Sequence, residues 1–185
     1  MDIIVKYIDE LLEKSTPDAP MWNIEKIRQG LKSNWNYIDG VMIKAVLQMY
    51  DVTKDEKYLK FADDFIDYRV HEDGTIEGYS IGEKNIDNVN AGKTLFELYD
   101  LTGKEKYRKA IDLVYSQIEI MPRCNNEARS FWHKDIYPNQ VWLDGMYMGQ
   151  PFYLEYETKF NNRKNYPDIF AQFKYVIENM KNPLN

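Results

Sequence analysis

The chain has 185 residues, 44% of them apolar and 29% charged, which is enough for one domain, residues 1–185, with a real core. Its net charge of −6, with no basic tract, excludes nucleic acid and anionic lipid surfaces as partners. A lone Cys124 excludes a disulfide framework and a cysteine-based zinc site, and two histidines cannot build a histidine-rich one, so no metal or cofactor is expected.

Apolar residues recurring at three- and four-residue intervals predict helices over 2–14, 23–31, 38–51, 55–70, 88–101, 105–119, 143–159 and 166–181. Val41, Ala45, Val46 and Met49 share one face of the third, and Tyr58, Phe61, Ala62 and Phe65 one face of the fourth. Leu95, Phe96 and Leu98 do the same in the fifth, and Tyr107, Ile111 and Val114 in the sixth. Strict alternation is nearly absent, so strands are minor at best. The first segment, Met1 to Glu10, lacks the basic start and apolar run of a secretion signal. No apolar stretch reaches the roughly 18 residues needed to span a bilayer. A cytoplasmic protein is the expectation.

The helices belong to a repeat. Tyr50-Asp51-Val52-Thr53 followed by Glu56-Lys57-Tyr58 recurs as Tyr99-Asp100-Leu101-Thr102 followed by Glu105-Lys106-Tyr107, 49 residues on. A third, degraded copy begins at Tyr156-Glu157-Thr158 and is stretched by residues 161–165 before Tyr166. A period near 50 residues predicts stacked helical hairpins. Turns within hairpins are short, whereas 71–82 and 121–139, which join one hairpin to the next, are long. Short turns at one end and elaborate loops at the other give a scaffold with one working face.

Three aspartates open the inner helices on that face, in Ile38-Asp39-Gly40, Ile86-Asp87-Asn88 and Leu143-Asp144-Gly145. Taken alone, each reads as a helix N-cap, because a short carboxylate accepts the orphan amide hydrogens of a first turn. Asp144 has company that a cap does not call for: Trp132, His133 and Trp142 precede it in the same loop. Indole faces beside carboxylates suit a carbohydrate cleft, where flat rings hold sugars and oxygens handle protons.

These blocks resemble a known family. Trp35-Asn36-Tyr37-Ile38-Asp39-Gly40, Asn85 through Lys93, Phe131-Trp132-His133-Lys134, and Tyr137 through Met148 are similar to the unsaturated rhamnogalacturonyl hydrolases of glycoside hydrolase family 105, in family order over nearly the whole chain. The resemblance implies an all-α fold, the ring of six helical hairpins called an (α/α)6 barrel, of which this chain supplies the N-terminal half. It implies a pectin-type substrate, an oligosaccharide ending in a 4,5-unsaturated uronic acid, and hydrolysis by hydration of the vinyl ether. By the same resemblance Asp144 is the catalytic acid/base and Asp87 a second carboxylate of the pocket that holds Asp144 partly protonated. Tyr37, His133, Lys134, Trp142 and Trp132 line the cleft. Asn88 and Ala91 depart from the family's His and Pro, which bears on substrate preference. A half-ring would expose the apolar flanks of its end hairpins, so a homodimer or a complementing chain is expected to close it. Two other readings stay open: a sugar-binding remnant without turnover, and a helical-repeat scaffold for a protein partner.

Overall fold

The computed structural model describes residues 2–182. Its helices are α1 (Asp2–Glu13), α2 (Ile24–Arg28), α3 (Tyr37–Thr53), α4 (Glu56–Asp67), α5 (Lys93–Thr102), α6 (Glu105–Ile120), α7 (Leu143–Lys159) and α8 (Tyr166–Asn179). Short 3-10 segments cover Met21–Asn23, Ile81–Glu83 and Ile86–Gly92. Extended pairing among the described residues is limited to isolated bridges: Val70 with Ile76, Asn85 with Lys134 and Arg123 with Phe131.

Helices α3/α4, α5/α6 and α7/α8 pair as hairpins, and α3, α5 and α7 stand side by side as one layer. The core lies between this layer and the outer helices. Ile43, Val46 and Leu47 of α3, Leu95, Phe96 and Leu98 of α5, and Ile111 and Val114 of α6 are fully buried in it. Phe152 of α7 meets Phe96 at 5.0 Å between ring centroids.

The repeated residues do the same work in each copy. Thr53 and Thr102 bond back to the carbonyls of Met49 and Leu98 at 2.6 Å, and each hydroxyl then accepts the amide two residues on. Lys54 and Gly103 take left-handed φ angles of 57° and 67°, which ends each inner helix. Tyr58 and Tyr107 are buried and donate to an acid on the preceding outer helix, Tyr58 to Asp9 at 2.9 Å and Tyr107 to Asp63 at 2.6 Å. Helix α1 therefore occupies the outer-helix place before α4. Tyr107→Phe is expected to cost about 1–2 kcal/mol in urea denaturation, because one Asp63 oxygen loses the donor that satisfies it.

The structure corrects the sequence reading in three places. The helix expected over 23–31 shrinks to Ile24–Arg28, because Gly30 turns the chain at φ 67°. The helix expected over 55–70 stops at Asp67, and Val70 instead bridges to Ile76. The helix expected from 88 begins as a 3-10 coil over Ile86–Gly92. Asn88, Asn90 and Gly92 favour α-helix weakly, and the narrower coil fits a tight slot between α3 and α7.

Large apolar side chains remain exposed at several places, Ile3, Ile4 and Tyr7 of α1 among them. Phe170, Phe173 and Ile177 form a stripe on α8, the last helix of the array, and Tyr37, Val41, Leu143 and Tyr147 line the exposed side of α3 and α7.

Candidate active site

Asparagine, not aspartate, makes the side-chain cap ahead of two of the three aspartates. The Asn36 side chain accepts the amide of Asp39 at 3.0 Å, and the Asn85 side chain accepts that of Asp87 at 3.1 Å. Trp142 precedes α7 without a side-chain cap. The three aspartates sit inside the first turn, where the helix dipole still favours negative charge. The capping reading is therefore overturned for Asp39 and Asp87, where an amide upstream takes the role; Asp144 accepts the amide of the next residue, Gly145.

Asp39 does not join the others. It is buried, and Trp22 Nε1 donates to it at 2.7 Å and Asn36 Nδ2 at 2.9 Å. Burial pushes its carboxyl up from 3.8 to about 6, against the pull of the Trp22 and Asn36 hydrogen bonds and the Arg69 charge. The folded state thus keeps this proton to higher pH than the unfolded chain does. Stability from this group is lost as pH rises from about 4 to about 6, by up to about 3 kcal/mol. Asp39→Asn should remove that loss, so the stability of the variant relative to wild type should climb across this window in urea titrations. Parallel curves would refute the assignment.

Asp87 and Asp144 do meet. One oxygen of each and a ring nitrogen of His133 all lie within 4.8 Å of one another. Asp87 is buried and Asp144 exposed. Lys134 Nζ holds Asp87 Oδ2 at 2.8 Å. His133 Nε2 stands 3.4 Å from Asp87 Oδ1, yet neither atom makes a hydrogen bond. Burial pushes the His133 imidazole below its ordinary range, Asp87 and Asp144 pull it back up, and Lys134 pushes it down. Asp144 Oδ1 accepts only the amide of Gly145 among its described hydrogen bonds, at 3.0 Å.

Each side chain is placed by a clamp on its backbone. The segment bearing Asp87 is gripped on four sides. Gln117 Nε2 donates to Asn85 O at 2.8 Å, Trp35 Nε1 to Asn88 O at 2.9 Å, Ile86 N to His133 O at 3.0 Å, and Asn90 Nδ2 to Tyr37 O at 2.8 Å. His133 is held by its amide on Gln140 O at 2.8 Å and by a near-parallel stack on Trp142, with centroids 4.2 Å apart. Gly145 lets α7 approach the imidazole, since a Cβ there would lie 2.9 Å from Nδ1.

The remaining sequence candidates divide. Trp142 is half-exposed, with one neighbour His133 and another Tyr137 at 5.2 Å, so its ring is already partly stacked within the protein. Lys134 reaches the cluster. Tyr37 begins α3 with its ring exposed, tied to the site through its carbonyl. Trp132 turns inward: its Nε1 is buried, and the ring lines a small cavity behind His133 with Ile86, Met146 and Gln150. That N–H cannot reach a ligand in the cleft. Gln117 carries no signal in the sequence, and Asn85 and Asn90 stand in the block of family resemblance without a role assigned to them, because amides that bond to backbone leave no periodic pattern. Lys93 was also passed over; its Nζ donates to Tyr147 O at 3.0 Å, and burial together with Lys44 lowers it to about 8.

Stacked helical hairpins with their inner helices in one layer, short turns at one end and long loops at the other, fit about half of an (α/α)6-barrel glycosidase ring. The sequence profile of Glycosyl Hydrolase Family 88 matches residues 8–185, and the chain belongs to that family. Among solved structures, a family 105 glycoside hydrolase from C. acetobutylicum ATCC 824 is similar to it, with a TM-score of 0.78 and 43% identity, which bears out the family 105 resemblance. The match covers 85% of this chain and 44% of that one, so the chain spans less than half the length of that relative. No helix among the described residues is long and apolar enough to cross a membrane.

Proposed function

We propose that this chain is the N-terminal half of a glycosidase ring that cleaves 4,5-unsaturated uronyl oligosaccharides, of the rhamnogalacturonyl type found in pectin, by hydrating their vinyl ether. The observation that carries the reading is the unequal pair of carboxylates. A retaining glycosidase needs two that both reach the anomeric carbon, and an inverting one needs two set apart around a water. Here Asp87 is buried and engaged by Lys134, while Asp144 alone is exposed. One free carboxyl suits chemistry that uses one group twice.

In this reading the Asp144 carboxyl gives its proton to C4, and the C4=C5 electrons form the new C–H bond. Positive charge develops at C5, shared with the ring oxygen. Water attacks C5 and returns a proton to the Asp144 carboxylate. The hemiketal then opens to a ketone at C5, leaving a hemiacetal at C1 that expels the neighbouring sugar. Asp87, with Lys134 and His133, orients sugar hydroxyls, and Tyr37, Trp142 and Tyr137 border the cleft. Further hairpins, in the same chain or a second one, cover Phe170, Phe173 and Ile177 and complete the ring.

The test is direct. A lyase-generated unsaturated disaccharide mixed with the protein in its full natural length should lose its ultraviolet C=C–carboxylate absorbance. A disaccharide that binds in calorimetry but keeps its absorbance would establish a sugar-binding remnant instead.

A further inference from the structure

Two buried polar atoms of the site stand opposite each other, and neither makes a hydrogen bond. His133 is 2% exposed and Asp87 8%, and both His133 Nε2 and Asp87 Oδ1 lack a hydrogen-bond partner. Such atoms cost free energy unless something satisfies them. Their separation is 3.4 Å. Two bonds of about 2.1 Å meeting at a tetrahedral angle put imidazole nitrogen and carboxylate oxygen about 3.4 Å apart, the bite of a zinc ion.

We infer that Asp87, His133 and Asp144 form a site for a divalent transition-metal ion of zinc type, with a fourth position open to the cleft. Asp144 supplies the third donor. One of its oxygens lies within 4.8 Å of an oxygen of Asp87 and of a ring nitrogen of His133, and as an exposed side chain in the first turn of α7 it is free to close the remaining distance by rotating. The donor set decides the metal. Carboxylates alone would favour magnesium or calcium, and one imidazole shifts preference toward zinc and its transition-metal neighbours. Lys134 on Asp87 Oδ2 leaves that carboxylate one oxygen, so it binds through a single atom. The ammonium also repels a cation, and His133 Nδ1 has no acceptor to support it. Affinity should therefore fall below that of a dedicated structural zinc site.

This inference stands apart from the proposed hydrolysis. If Asp144 is the proton donor, a bound zinc ion withdraws it and inhibits turnover. Binding itself is measured without substrate.

The experiment is titration of chelator-treated protein with zinc chloride by calorimetry, with cobalt chloride followed by its ligand-field spectrum. Wild type should bind one equivalent, with the intense visible bands of a tetrahedral cobalt ion. Asp144→Ala, which changes an exposed residue and leaves the fold intact, and His133→Gln should each weaken binding at least tenfold. His71→Gln, at the other histidine, exposed on its loop, should change nothing. No saturable binding by wild type, binding lost with His71, or binding unchanged in Asp144→Ala would overturn the assignment. Zinc binding by wild type, together with no turnover of any unsaturated disaccharide by the metal-free protein in its full natural length, would refute the proposed hydrolysis and leave the metal site standing.

Discussion

Asp144→Asn is expected to lower kcat/KM on an unsaturated uronyl disaccharide by about 10⁴-fold, the upper range for a single acid–base group, because the same carboxyl both gives and recovers the proton. The loss should fall on kcat, with KM little changed, since the amide keeps the shape of the side chain and its acceptor for Gly145 N. Stability should shift by no more than about 0.5 kcal/mol, as Asp144 is exposed and holds nothing else in place. Asp87→Asn makes the contrast. It removes the partner of Lys134 from a buried position, so activity and stability should fall together. Continuous absorbance assays paired with thermal melts separate the two. An Asp144→Asn enzyme with a tenth or more of wild-type activity would mean that another group carries the proton.

The scaffold was written plainly in the sequence, because its determinants are local and recur. Tyr50 and Thr53 return as Tyr99 and Thr102, and each copy closes a helix through the same threonine bond. Buried Tyr58 and Tyr107 reach across to the preceding helix in the same way. The loop from Phe131 to Trp142 also announced the site, since two indoles, an imidazole and an ammonium ahead of Asp144 serve no helical pattern. What the sequence hid is direction. Asp39, Asp87 and Asp144 hold equivalent repeat positions, yet Trp22 draws Asp39 away while the other two converge. Nothing in one-dimensional spacing says that an indole from residue 22 will claim one member of a repeated set. The asparagine caps were hidden for a related reason. Asn36 and Asn85 stand three and two residues before aspartates that cap equally well on propensity, and only the fold shows which side chain accepts the amide. The 3-10 coil over Ile86–Gly92 likewise follows from packing between α3 and α7, a constraint composed far from its own sequence.

That slot makes Gly40→Ala the second large effect. At an exposed helical position the change would gain about 1 kcal/mol from propensity. Here the new Cβ would stand 2.6 Å from the Cα and N of Ala91 and 2.8 Å from the carbonyl carbon of Asn90. Those are backbone atoms, so no side-chain rotation relieves the overlap, and α3 must part from the segment that carries Asp87. Ordinary overpacking costs about 1–3 kcal/mol; a backbone wedge should sit at the top of that range, about 3 kcal/mol, which leaves about 2 kcal/mol after the propensity gain. The displacement should also break Asn90 Nδ2 from Tyr37 O and move Asp87 against Lys134, so turnover falls even at temperatures where the variant stays folded. Gly103→Ala is the control: its φ of 67° disfavours a side chain, but nothing lies within 4 Å of the added carbon. It should cost about 1 kcal/mol and leave the site untouched. Urea denaturation of both variants beside the absorbance assay decides the matter, and a Gly40→Ala protein as stable as the Gly103→Ala one would show that α3 and the Asp87 segment are not held in the contact described.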